Sequence, residues 1–102
     1  MAEATKEPIR AEAAGDVRIL HLEGQVGVAQ SRRLLEIARK LGKEGRHVTV
    51  RCEHLTHLDC AGVQVLLALN ETLKGQGAGL ALSNLPESVQ QTMRVAGLAD
   101  AW

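Results

Sequence analysis

The chain has 102 residues, with 12 Lys plus Arg balanced by 12 Asp plus Glu, 45% hydrophobic residues, and no Phe, no Tyr and a single Trp at position 102. One domain with an aliphatic core fits this length and composition. Zero net charge and missing aromatic platforms argue against nucleic acid, and no apolar run approaches the ~20 residues of a membrane span. Two cysteines are too few for a disulfide scaffold; they fit a reducing cytoplasm, although they could still pair. The polar, mixed-charge stretch Met1 to Arg10 does not read as a signal peptide.

In chain order, residues 1–7 read as a flexible N-terminal arm and 8–102 as a single domain. Ile9, Ala11 and Ala13 alternate with polar residues, as in a short edge strand, and Ala14-Gly15-Asp16 is a turn signal. Val17 to Leu22 is a strand apolar on both faces, hence central. Gly24 to Gly27 breaks that pattern, and a helix runs from about Val28 to Lys43. Its apolar stripe is Leu34, Ile37, Ala38 and Leu41, with Glu36 and Lys40 able to pair outside. Val48, Val50 and Cys52 alternate with polar residues in a short strand.

His54 to Gly62 reads as the segment connecting that strand to a second helix, which runs from Ala61 to about Lys74, with Asp59 placed to cap it. Val65 to Leu69 is apolar almost all round, which predicts the most buried helix. Gly75-Gln76-Gly77-Ala78-Gly79 ends it, and Leu80 to Leu82 is a short strand. Pro86 suits the first position of a third helix, with Val89, Met93 and Ala96 on one face and Gly97 as a C-cap. The order β-β-α-β-α-β-α predicts an α/β fold with a four-stranded mixed sheet, three helices packed against it, and right-handed crossovers between its parallel strands.

In this order, Leu55-Thr56-His57-Leu58-Asp59-Cys60-Ala61-Gly62-Val63 opens the helix after the third strand. The stretch resembles the signature of the STAS domain, the family of sulfate transporters and anti-sigma factor antagonists, in which an apolar stretch leads into Asp-Ser-Ser-Gly or Asp-Ser/Thr-Ala-Gly. Leu22-Glu23-Gly24-Gln25 is similar to the family's Leu-x-Gly strand end. Ser83 to Val89, with Pro86, and Val95-Ala96-Gly97-Leu98 are similar to the start and end of its last helix. The resemblance covers Pro8 to Trp102. It implies a small STAS-like fold and a bacterial, cytoplasmic, non-enzymatic module for partner switching and transcription regulation. The implied partner is an anti-sigma factor or related kinase, and the implied contact residues are Asp59, Cys60, Ala61, Gly62 and Val63.

One departure matters. The resemblance places the phosphorylated Ser or Thr of anti-sigma factor antagonists at residue 60, which here is Cys60, and Ala61 removes the second hydroxyl. A thiol is not a substrate for an ordinary Ser/Thr kinase, so the usual phosphate switch is not implied. Thr56 is the nearest hydroxyl. The Asp-x-Ala-Gly motif resembles equally the STAS-like subunit of the bacterial phospholipid-transport ABC complex, which implies an ABC ATPase as the alternative partner.

Other constellations carry weaker chemistry. Cys60 at a helix N-terminus could carry a lowered thiol pKa, opposed by Asp59, which leaves open a redox- or metal-responsive module as well as a shape replacement for Ser. Cys52-x-His54-x-x-His57-x-x-Cys60 has the residue types of a zinc site, but its members lie on a strand end, a connection and a helix start, so no metal is expected. Cys60 with His57 or His54 lacks an oxyanion hole and a third orienting group other than Asp59, so no catalytic residues are assigned. Gly75-x-Gly77-x-Gly79 comes after a helix instead of opening one, so it is a turn and not a phosphate loop; no cofactor is expected. Arg32, Arg33, Arg39, Lys40 and Lys43 form a basic cluster on the first helix, either a solvated face or a surface for an acidic partner. Ser31 reads as exposed or locally hydrogen bonded.

Overall fold

The computed structural model describes residues 9–95. They form β1 (Ile9–Ala14), β2 (Val17–Val26), α1 (Val28–Glu44), β3 (His47–Leu58), α2 (Cys60–Lys74), β4 (Leu80–Ser83) and α3 (Glu87–Val95). This is the expected order. The expected arm at 1–7, Ala96, the Gly97 cap and the Leu98 to Trp102 tail lie outside the described residues, as does the side chain of Met93.

The sheet runs β1-β2-β3-β4, so β1 is an edge and β2 is central, as their patterns imply. β1 pairs antiparallel with β2, and β2–β3 and β3–β4 are parallel. Ala14 pairs with Val17 across the turn, where Gly15 takes a φ of 65°. A two-residue hairpin requires this left-handed conformation, and glycine adopts it without a Cβ clash. Because β2, β3 and β4 advance in one direction, right-handed crossovers place α1 and α2 side by side on one sheet face. α1 lies over β1 and β2, α2 over β3 and β4, and the two helices pack against each other.

The covered face supplies Leu20, Leu22, Val48 and Val50, and the helices add Leu34, Leu41, Val63, Leu66 and Leu73. Val89 anchors α3 in the same core. At ~25 cal/mol per Å², burying each of these aliphatic side chains contributes roughly 1.5–3 kcal/mol. The other sheet face carries Arg10, Glu12, Ile19, His21, Thr49 and Arg51, none of them buried. With helices on one face of the sheet, each helix keeps an outward flank. α2 therefore does not enclose its apolar window: Val65 and Leu67 are half-buried and Ala68 is exposed.

Several boundaries differ from those expected from the sequence. β2 does not stop before Gly24 but continues to Val26, and β3 absorbs the expected connection as far as Leu58. The pairing Val17↔His47 drifts to Val26↔Leu58, with irregularities after His21 and after Gly24. β3 thus holds two residues more than β2 over the paired stretch. Each extra residue reverses the facing of the residues beyond it, so Val48, Val50, Cys52, Leu55 and Leu58 are all buried although their spacing changes from two to three. Gly24, with φ of 69°, sits at the second irregularity. Pro86 is the cap and not the first turn of α3, since its carbonyl accepts from the N–H groups of Val89 and Gln90. Glu36 lies 3.7 Å from Arg33 as an ion pair on the preceding turn.

Candidate interaction site at the start of α2

The parallel strands β2 and β3 end together, at the pair Val26↔Leu58. One residue later the chain turns into a helix from each: Gly27 precedes α1 and Asp59 precedes α2. Two helix N-termini therefore open at the same end of the sheet. The Asp59 N–H donates to the Val26 carbonyl at 2.8 Å, which ties the start of α2 to the end of β2. Asp59 has extended backbone, its carboxylate accepts from the Cys60 N–H at 2.7 Å, and its carbonyl accepts from the Val63 N–H at 3.0 Å. This is the expected cap, although the side chain reaches the first helical N–H instead of the more usual second or third.

Gly62 explains how α2 comes so close to the strands. A Cβ at that position would lie 2.7 Å from Leu58 Cδ1 and 3.6 Å from Val26 Cγ1. Val63 is buried in the core, Ala61 is half-buried and Cys60 is exposed. Of the five residues singled out in the sequence, Asp59, Gly62 and Val63 therefore fix the helix, and Cys60 and Ala61 face outward. The neighbouring N-terminus has a reciprocal device, with the Gln30 side-chain oxygen accepting from the Gly27 N–H at 2.9 Å. Ser31 donates to the Val28 carbonyl at 2.7 Å, the local bond expected of it. Val28 is 72% exposed beside this end. In sequence, Gly24 to Gly27 reads only as a break, yet the Val26 carbonyl within it is where the two ends are joined.

The Cys52/His54/His57/Cys60 set does not converge. Cys52 is buried, its thiol directed to the Val50 carbonyl at 3.8 Å, and burial pushes its pKa up to about 11. Cys60, His54, His57 and Thr56 are exposed, and both cysteines are free. Among the described residues no three His, Cys, Asp or Glu side chains gather as a metal site. Nor does any described helix have the length and apolarity to cross a membrane. The loop Gly75 to Gly79 reverses the chain, as expected, with Gly77 at φ 81° and the Gly79 carbonyl accepting from Val48 N–H.

No curated protein matches the sequence at a significant level. Among solved structures, the chain is similar to the anti-sigma factor antagonist SpoIIAA in its unphosphorylated form, with a TM-score of 0.73, 15% identity, and coverage of 84% of this chain and 81% of that one. SpoIIAA of Bacillus in its phosphorylated form gives a TM-score of 0.71 at 16% identity, covering 88% of this chain and 84% of that one. A candidate anti-sigma factor antagonist of Thermotoga maritima gives 0.76 at 15% identity, covering 88% and 79%. These likenesses carry the fold. The model of the STAS domain matches residues 8–101, nearly the whole sequence, and the chain belongs to the STAS domain family.

Proposed function

We propose that this chain is a non-enzymatic regulatory module, similar to an anti-sigma factor antagonist, that binds a protein partner through Asp59 to Val63. The observation that carries the reading is the division of labour at the start of α2. Asp59, Gly62 and Val63 lock the helix to the strands, while Cys60 stands exposed at its first position. A rigid scaffold presenting one accessible side chain is suited to a contact whose affinity depends on that side chain. Family membership and the fold shared with SpoIIAA support the same reading.

Cys60 then sets the mode of control. A thiol at the position of the phospho-acceptor leaves no hydroxyl for an ordinary Ser/Thr kinase, so partner binding is constitutive or governed by another input. The test is capture of the partner from the native host by the full chain, compared with Asp59→Ala and Cys60→Glu. Both variants are expected to lose the partner while keeping a cooperative thermal melt. Incubation with the host's candidate anti-sigma kinases and ATP, followed by mass spectrometry, is expected to show no phosphate on residue 60. Retention of the partner by both variants, or phosphate on Cys60, overturns the proposal.

A further inference from the structure

Among the described residues the exposed large hydrophobic side chains are Val28, at 72%, and Leu35, at 37%. They are seven residues apart on α1 and so share one stripe of that helix. Arg32, Arg39 and Lys43 continue the same stripe. Beside it lies a groove of about 460 Å³ between the outward flanks of α1 and α2. Leu35, Arg39 and Lys43 form its α1 wall, and Val65, Ala68 and Thr72 its α2 wall.

The charges along this groove are one-sided. Arg10, Arg18, Arg33, Arg46 and Arg51 each have a carboxylate partner. Arg32, Arg39 and Lys43 have none among the described residues, and no Asp or Glu lines the groove. Glu36, on the same helix, is taken by Arg33. Among the described residues, a set of cations beside the exposed aliphatic side chains is thus left without compensating carboxylates.

We propose that this groove is the track for an acidic amphipathic helix of a protein partner. The inference rests on the partner-binding reading above, because Ala61 of the proposed contact lies one turn before Val65 on the α2 stripe that forms the wall through Ala68 and Thr72. α1 has 17 residues, a length of about 25 Å, which accommodates a partner helix of roughly four to five turns. The small side chains of Ala61 and Ala68 allow close approach, the aliphatic side chains take the partner's apolar stripe, and Arg32, Arg39 and Lys43 meet its carboxylates. Two exposed aliphatic residues with no aromatic anchor are a poor fit to a bilayer, and a nucleic acid has no use for an apolar floor.

The probe is a fluorescein-labelled helical peptide of about 18 residues, with leucines along one face and glutamates on both flanks, titrated by anisotropy against the full chain. Its counterpart carries lysines for the glutamates. The glutamate peptide is expected to bind at least about tenfold more tightly than the lysine peptide, and added salt should weaken it. Amide shifts should map onto Leu35, Val65 and Ala68. Arg39→Glu with Lys43→Glu should weaken binding by about tenfold, with an unchanged thermal melt because both side chains are exposed. Equal binding of the two peptides, shifts confined to another face, or tighter binding of duplex DNA or phosphatidylglycerol vesicles overturns the proposal.

Partner capture separates this inference from the reading it rests on. Loss of the partner with Asp59→Ala but not with the Arg39/Lys43 double variant overturns the groove and leaves the α2 contact standing. The reverse result overturns the α2 contact and supports the groove.

Discussion

Gly62 and the two cysteines show how single positions divide structure from contact. Replacing Gly62 by Ala adds a methyl group 2.7 Å from Leu58 Cδ1, and Leu58 is itself only 2% exposed and cannot swing away. Overpacking of this kind costs ~2 kcal/mol, and the better helix propensity of Ala offsets about 1 kcal/mol of it. Gly62→Ala should therefore be less stable by about 1 kcal/mol, a fall in Tm of roughly 5 °C by calorimetry. Gly62→Val should fall further. Cys60 and Cys52 differ in access: a thiol reagent should label Cys60 in the native chain and reach Cys52 only on unfolding. Burial raises the Cys52 pKa from 9.0 to about 11. Between those values the unfolded chain releases its proton while the folded chain holds it. Its contribution is thus complete below about pH 9 and is lost as pH rises toward 11, about 3 kcal/mol in all. Denaturant melts from pH 8 to 11 should show this slope in the native sequence and a shallower one in Cys52→Ala.

Elements show where sequence patterns are readable and where they are not. α1 is legible because its buried positions, Leu34, Ile37, Ala38 and Leu41, keep helical spacing throughout. β3 is legible only to Cys52. Beyond it, the two extra residues turn an alternating pattern into one of threes, which reads as a loop although the strand continues to Leu58. Gly24 hides the end of β2 in the same way, because its positive φ marks an irregularity within a strand and not the strand's end. Asp59, Gly62 and their motif can be found as neighbours in sequence. The tie from Asp59 to Val26 cannot, since it joins residues 33 positions apart through backbone atoms that carry no residue identity. The hairpin β1–β2 offers a test of its own. His21 Nε2 lies 2.8 Å from Glu12 Oε2, and this hydrogen bond lowers the Glu12 pKa against the opposing effect of desolvation, with the charges of His21, Arg10 and Arg51 adding to the lowering. Carboxyl titration by NMR should place Glu12 below 4.5, and His21→Ala should return it toward that value. The sign makes this contribution to stability present above the ordinary value and lost as pH falls through the lowered one.

At the scale of the molecule, neutrality conceals an uneven surface. α1 carries five basic and two acidic residues, so the balancing acids lie elsewhere in the chain. The outer sheet face is a lattice of opposite charges, including Arg10 with Glu23 and Arg51 with Glu53, whereas on α1 only Arg33 is answered, by Glu36, and Arg32, Arg39 and Lys43 have no carboxylate partner among the described residues. The sheet order β1-β2-β3-β4 is the order of the chain itself. It bears on how the molecule is made. Each strand docks against the one synthesised just before it, and none must thread between two already paired. The hairpin closes from local contacts, and each later strand, carried back by its helix, finds an edge already waiting. Assembly can therefore keep pace with a growing polypeptide, with β4 and α3 closing the core last.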